Sequence, residues 1–202
     1  MNPKFARFIS VVLHPVFMPT YSLLIIFRQS TYFSYTISEQ NKLALFSIII
    51  LNTFVLPLLI SYILVQKGWI KSFEMQKREE RMIPYLTNFV LMLCSSYLVY
   101  LLPLPRVFFQ ITLGAAVAIL IAIIVNIKWK ISIHMIGIGA LIGTLFGLST
   151  FLLVDMRTLI IFFLLVAGLL GVARISLGSH RPSQIYAGFF AGFICEYLLL
   201  SL

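Results

Sequence analysis

The chain has 202 residues, of which 61% are hydrophobic and only 10% charged, with a formal net charge of +9. Soluble domains carry roughly 25% charged residues, so the composition excludes an ordinary water-soluble fold and points to a bilayer. The positive charge is spread over short loops rather than gathered on one soluble module, which argues against a nucleic-acid-binding domain.

A membrane-spanning helix needs about 20 mostly apolar residues. The hydropathy pattern predicts six or seven spans, near 8–27, 43–66, 85–102, 107–127, 134–153, 156–173 and 182–202. The expected fold is an all-α, polytopic membrane helix bundle forming one integral membrane domain over residues 1–202. In the first segment, "FISVVLHPVFMPTYSLLIIF", His14, Pro15 and Pro19 interrupt the apolar run. Proline removes a backbone donor and kinks a helix, so this segment is a bent span or a shallow one. His14 is read as a packing residue, with a bent first span as the alternative that brings it near a site. No cleavable secretory signal is expected, because the initial apolar run lacks a small-residue cleavage site. Cys94 and Cys195 fall inside predicted spans and act there as small apolar residues. Gly139, Gly143 and Gly147 recur every four residues in the fifth span, and Ala187/Ala191 and Gly188/Gly192 repeat the pattern in the seventh. Small residues at this spacing let helix backbones approach closely in lipid.

Alternation of the loops puts the amino terminus, 67–84, 128–131 and 174–181 on one face. That face holds 11 of the 15 Lys and Arg residues, leaving Arg28, Lys42, Arg106 and Arg157 on the other. The positive-inside rule then makes the richer face cytoplasmic, as in a bacterial inner membrane. Lys67, Lys71, Arg78, Lys128 and Lys130 are read as orientation signals or headgroup contacts.

Three junctions on that face carry candidate chemistry. In "ARISLGSHRPSQIYAGFFAGF", Gly178 and Ser179 break one helix and Pro182 suits the first turn of the next, so His180 stands at a helix N-terminus. Such a terminus attracts anions. In "KWKISIHMIGIG", Ser132 is expected to cap a new helix, with His134 two residues on. In "KREERMIPY", basic residues precede Pro84; Glu74, Glu79 and Glu80 are read as pairing with neighbouring cations at the surface. Two histidines supply the nucleophile or base and the acid that phosphoester cleavage needs. Lys77, Arg81 and Arg174 can neutralise phosphoryl oxygens. No cofactor or metal is expected, because no carboxylate cluster accompanies the histidines.

These segments, in this order, resemble the type 2 phosphatidic acid phosphatase superfamily, which includes lipid phosphate phosphatases and is related to vanadium haloperoxidases. The family pattern is Lys, six residues, Arg-Pro; then Pro-Ser-Gly-His; then Ser-Arg, five residues, His, three residues, Asp. Arg174 and His180 keep the last spacing, with Ala173 in the serine position; Ser132 and His134 keep Ser-x-His, with Ile131 and Ile133 replacing proline and glycine; Lys77 and Arg81 are four apart, and Pro84 follows. The resemblance covers about residues 70–202. It implies that His180 attacks phosphorus to form a phosphohistidine and that His134 protonates the departing lipid oxygen. It also implies that Lys77, Arg81, Ser132 and Arg174 hold the phosphoryl oxygens. Where the family has an aspartate that orients the nucleophile, this chain has Gln184, whose amide oxygen accepts a hydrogen bond but carries no charge.

The function expected is thus a membrane lipid phosphate phosphatase of the phosphatidate or isoprenyl diphosphate type, with membrane lipids and a lipid phosphate as its only named partners. Two alternatives stay open: a relative that binds a phospholipid or polyprenyl phosphate without cleaving it, and a small transporter. Against the transporter, Glu196 is the sole candidate for an acidic residue at mid-span, where ion-coupled carriers keep ionisable groups.

Overall fold

The computed structural model describes residues 1–29, 32–70, 79–151 and 154–202. Every regular element among them is helical, and seven helical segments are long and apolar enough to cross a membrane. Lys77, one of the expected phosphate ligands, lies outside the described residues.

Helix α1 (Pro3–Val12) starts with Asn2, whose Oδ1 accepts from the Lys4 N–H at 2.9 Å, and with proline at the position where a missing N–H costs nothing. It buries Ala6, Ile9 and Ser10 and leaves Phe5, Phe8 and Val11 outward. The His14-Pro15 step ends it. A 3-10 turn over Pro15–Phe17 leads into α2 (Met18–Arg28), so the first apolar segment is broken rather than straight, as the prolines require. A short helix, α3 (Tyr32–Thr36), precedes α4 (Glu39–Ile50), which Ser38 caps through its hydroxyl.

Helix α4 continues through a π-helical stretch, Leu51–Val55, into α5 (Leu56–Gln66). Pro57 explains that irregularity: it has no N–H to give the Thr53 carbonyl, and the ladder slips so that the Leu56 N–H meets the Leu51 carbonyl. A 3-10 turn at Glu79–Arg81 opens α6 (Met82–Leu101), and Pro103 and Pro105 separate it from α7 (Arg106–Lys128). Three further helices complete the chain: α8 (Ile133–Phe151), α9 (Arg157–Ser176) and α10 (Pro182–Ser201). At the far end, Asp155 accepts the Arg157 N–H at 3.1 Å and pairs with its guanidinium at 3.0 and 2.7 Å, and Glu39 pairs with Lys42 at 2.7 Å.

Helix α8 is the most buried span and the centre of the bundle, touching α2, α7, α9 and, most extensively, α10. Glycine makes that last contact possible. A Cβ on Gly139 would run into the Phe189 carbonyl, one on Gly192 into the Ile136 carbonyl, and one on Gly188 would lie 2.6 Å from the Ser132 carbonyl. The two backbones therefore touch along the glycine faces that the four-residue repeat marks out. Around this pair, Ile138, Leu141, Ile142, Leu145 and Leu148 form the core with Leu170 and Ala173 of α9. Leu59, Leu101, Phe162, Leu165 and Leu198 lie exposed on the outside, the distribution expected where the solvent is hydrocarbon.

Candidate active site

The turn between α9 and α10 sets the first histidine. Gly178 takes φ +65°, a left-handed conformation that glycine adopts without a steric penalty. The Ser179 N–H returns to the Arg174 carbonyl at 3.1 Å. Arg181 is extended, as a residue before proline must be, and α10 begins at Pro182. His180 is thereby held against the N-terminal turn of α10 and is 7% exposed.

Gln184, one turn into α10, orients this imidazole. Its Oε1 accepts the Arg181 backbone N–H at 3.1 Å and lies 3.2 Å from His180 Nδ1. The backbone donor identifies which end of the amide is oxygen, and an amide oxygen only accepts, so Nδ1 carries the imidazole proton. The lone pair is left on Nε2. Burial, and next the charges of Arg81 and Arg174, push the His180 pKa down to about 3, with the Gln184 hydrogen bond opposing them. The ring is neutral, as a nucleophile has to be.

A titration follows from this. The unfolded chain, with a histidine value of about 6.5, takes up the proton before the folded chain does. Folded stability is therefore fully present above about pH 6.5 and is lost progressively as pH falls towards 3. In nitrogen-15 spectra of histidine-labelled protein in micelles, His180 is expected to keep its neutral, Nδ1-protonated signature at pH 5. A midpoint near 6.5 would contradict this geometry.

His134 occupies the first turn of α8, with Nε2 3.1 Å from the Ser10 carbonyl. A carbonyl accepts, so Nε2 carries the proton and Nδ1 the lone pair. In this form His134 is a base; it serves as an acid once Nδ1 takes a second proton. Its ring meets His14 edge-on, with centroids 5.0 Å apart and planes at 85°. His14 in turn accepts the Val16 N–H at Nδ1, 3.4 Å away. The break in the first segment is what carries His14 here, against the packing role expected from the sequence. The only local signal was a His-Pro pair interrupting an apolar run.

Arg81 ends the 3-10 turn before α6 and is 6% exposed, so the "KREER" segment does not leave this cation at the solvated surface. Arg174 lies half-buried in the last turn of α9. His14, Arg81, His134, Arg174 and His180 line one cavity of about 460 Å³. Lys130 lies near enough for the charges of Arg81 and Arg174, after desolvation, to lower its pKa. Ser132 and Gln184 stand behind the lining. Ser132 is fully buried and its N–H meets the Gln184 carbonyl at 3.4 Å, which ties the start of α8 to the start of α10. Its carbonyl begins the α8 ladder, but its hydroxyl makes no hydrogen bond among the described residues, so the expected side-chain cap is not made.

The geometry joins a neutral, tautomer-fixed imidazole, a second imidazole and two buried or half-buried guanidiniums. Such a set holds an oxyanion and offers it a nitrogen nucleophile. Among the described residues no group of three His, Cys, Asp or Glu side chains could hold a metal ion. No protein-family model, no curated protein and no solved structure matches this chain.

Proposed function

We propose that this chain is a multi-pass membrane protein that hydrolyses the phosphate ester of a lipid. One observation carries the reading: His180, with Nδ1 committed to Gln184, shares a single cavity with His134, Arg81 and Arg174, and that cavity continues between the spans along Met92, Ile111, Ala115, Ala118 and Leu141. An anionic head and an apolar chain are thus accommodated together. The resemblance to type 2 phosphatidic acid phosphatases points the same way.

In the proposed reaction His180 Nε2 forms a bond to phosphorus as the ester P–O bond breaks. The departing lipid oxygen takes a proton from His134 after that residue has been protonated at Nδ1. Water then attacks phosphorus and gives its proton to His134 Nδ1, the N–P bond breaks, and inorganic phosphate leaves with the Nε2 lone pair restored. Arg81 and Arg174 balance charge on the phosphoryl oxygens throughout, and the family pattern adds Lys77; Ser132, behind the lining, does not reach them in this arrangement.

A second reading, binding without cleavage, is favoured by one feature. Phosphorylated His180 is cationic, and Gln184 supplies a hydrogen bond without the balancing charge. Phosphate release from a panel of lipid phosphates separates the two. Hydrolysis is expected for at least one member of the panel, with kcat/KM lowered about 100-fold or more by Arg174→Ala, the usual cost of removing one oxyanion donor. The same assay in sealed vesicles tests orientation: the Lys and Arg bias puts the site on the cytoplasmic side of an inner membrane, so inverted vesicles should be active and right-side-out ones silent. Lipid phosphates bound but never cleaved would establish the second reading.

A further inference from the structure

The histidine and arginine cluster fills only one end of the cavity. At the other end its wall is again polar: Ser22, Asn52, Thr53, Thr144 and Glu196 line it. Ten residues of α8 separate His134 from Thr144, which at about 1.5 Å of rise per residue puts the two ends roughly 15 Å apart, the length of about a dozen methylene groups. Between them the lining is mostly apolar, with Ser61 and Asn88 along it.

Glu196 is 1% exposed and sits inside the last span, nearer its C-terminal end. A carboxyl in that position is costly to bury and tends to have a use. Two neighbouring helices make room for it. A Cβ on Gly114 of α7 would lie 2.7 Å from Glu196 Oε2, and a Cβ on Gly143 of α8 would lie 3.1 Å from Glu196 Cβ. The Thr144 hydroxyl lies beside the carboxyl, but Oε2 has no hydrogen-bond partner among the described residues. A carboxylate that served only to join helices would have both oxygens satisfied by those helices, because an unmet buried acceptor costs stability.

Other features of this wall agree. Asn52 and Thr53 belong to the π-helical stretch, a distortion frequent at functional sites. The Ser22 and Thr53 hydroxyls donate to the carbonyls four residues back in their own helices, at 3.1 and 2.8 Å. Their donors are thus committed, and Glu196 Oε2 is left as the acceptor in need of one.

We propose that the deep end of the cavity is a second binding subsite, centred on Glu196, which receives a hydroxyl carried on the chain of a lipid phosphate about a dozen carbons from the phosphorus. The hydroxyl donates to Glu196 Oε2, and its oxygen is within the polar wall formed by Asn52 and Thr144. The subsite acts as a ruler: with the phosphate on Arg81 and Arg174, only a chain of matching length delivers its donor to the carboxyl group. This assignment rests on the phosphate reading of the opposite end.

The test uses two non-hydrolysable probes, dodecylphosphonate and 12-hydroxydodecylphosphonate, titrated calorimetrically into purified full-length protein in micelles. The wild type is expected to bind the hydroxylated probe about tenfold more tightly, the upper end of the range for one net hydrogen bond. Glu196→Leu should lose that preference while still binding plain dodecylphosphonate, which also shows that the variant is folded; Glu196→Gln, which keeps an acceptor oxygen, should retain part of it. Equal affinities in the wild type, or a preference that survives Glu196→Leu, would overturn the subsite. Failure of the phosphate reading looks different: plain dodecylphosphonate would not bind, or would bind equally well to Arg174→Ala. A protein that takes neither probe removes both assignments.

Discussion

Replacing His180 by alanine is expected to lower phosphate release by at least about 10³-fold, because removing a nucleophile leaves only the contribution of binding and charge. Substrate affinity should change little, since Arg81 and Arg174 stay in the cavity wall. A variant that keeps half the wild-type kcat would sink the phosphohistidine reading. The informative companion is Gln184→Asp. Gln184 Oε1 already accepts from both His180 Nδ1 and the Arg181 N–H, so an aspartate that reaches the same two donors would add a charge to an existing geometry. A charge there stabilises the imidazolium that forms on phosphoryl transfer. The reverse change in a serine-protease triad, from carboxylate to amide, costs about 10⁴-fold. We therefore expect Gln184→Asp to raise kcat by about tenfold or more, with KM little altered. Gln184→Leu, which leaves the Arg181 N–H and the imidazole without their acceptor, should lower it. Quenched-flow trapping of the phosphoenzyme measures these changes at the step concerned.

Gly192→Ala is expected to destabilise the protein by about 3 kcal/mol or more, the upper range for overpacking, as a lowered Tm in detergent. The added methyl would run into the Ile136 carbonyl and lie 2.8 Å from the Ala140 nitrogen. These are backbone atoms of a helix, so relief requires α8 and α10 to move apart rather than one side chain to turn. Activity should fall further than stability alone predicts. The same contact keeps the start of α8, with His134, in register with the start of α10, behind His180, through the Ser132 N–H to Gln184 carbonyl bond at 3.4 Å. Gly168→Ala is the matched control. Nothing lies within 4 Å of the position its Cβ would take, and alanine is the better helix former by about 1 kcal/mol, so Tm should hold or rise slightly. A Tm unchanged in both variants would mean that the two backbones are not in contact.

The helical content and the seven apolar segments were legible in the sequence because hydrocarbon requires each span to satisfy its own backbone and to present apolar side chains over a fixed length. The glycine repeats likewise announced a close helix pair, since a period of four puts small residues on one face. The order of basic and histidine-bearing junctions brought His134, His180, Arg81 and Arg174 to the same end, and the structure joins all four in one cavity. The family resemblance put Gln184 where an acceptor for His180 would stand, and Gln184 Oε1 lies 3.2 Å from His180 Nδ1.

What local pattern could not show is which distant segments meet. His14 looked like a packing residue because its neighbours in sequence are apolar and proline. Its place beside His134 depends on a break that folds residues 10–18 onto the first turn of α8, where Ser10 meets His134 and Gly137 faces Pro15 and Met18. Arg81 was expected among the phosphate-holding cations, but its burial could not be read from a charged run; the 3-10 turn before α6 carries it inward. Glu196 gave no motif at all. Its place beside Thr144, and the room made for it by Gly114, are set by how α7, α8 and α10 cross. The sequence by itself thus determined the apolar helical segments, their small-residue faces and which basic and histidine residues stand at each junction, since these follow from periodicity and chain order. Tertiary structure alone decided that one cavity runs from two arginines and three histidines to a buried carboxyl, because the distance between helices depends on side-chain packing across residues far apart in the chain.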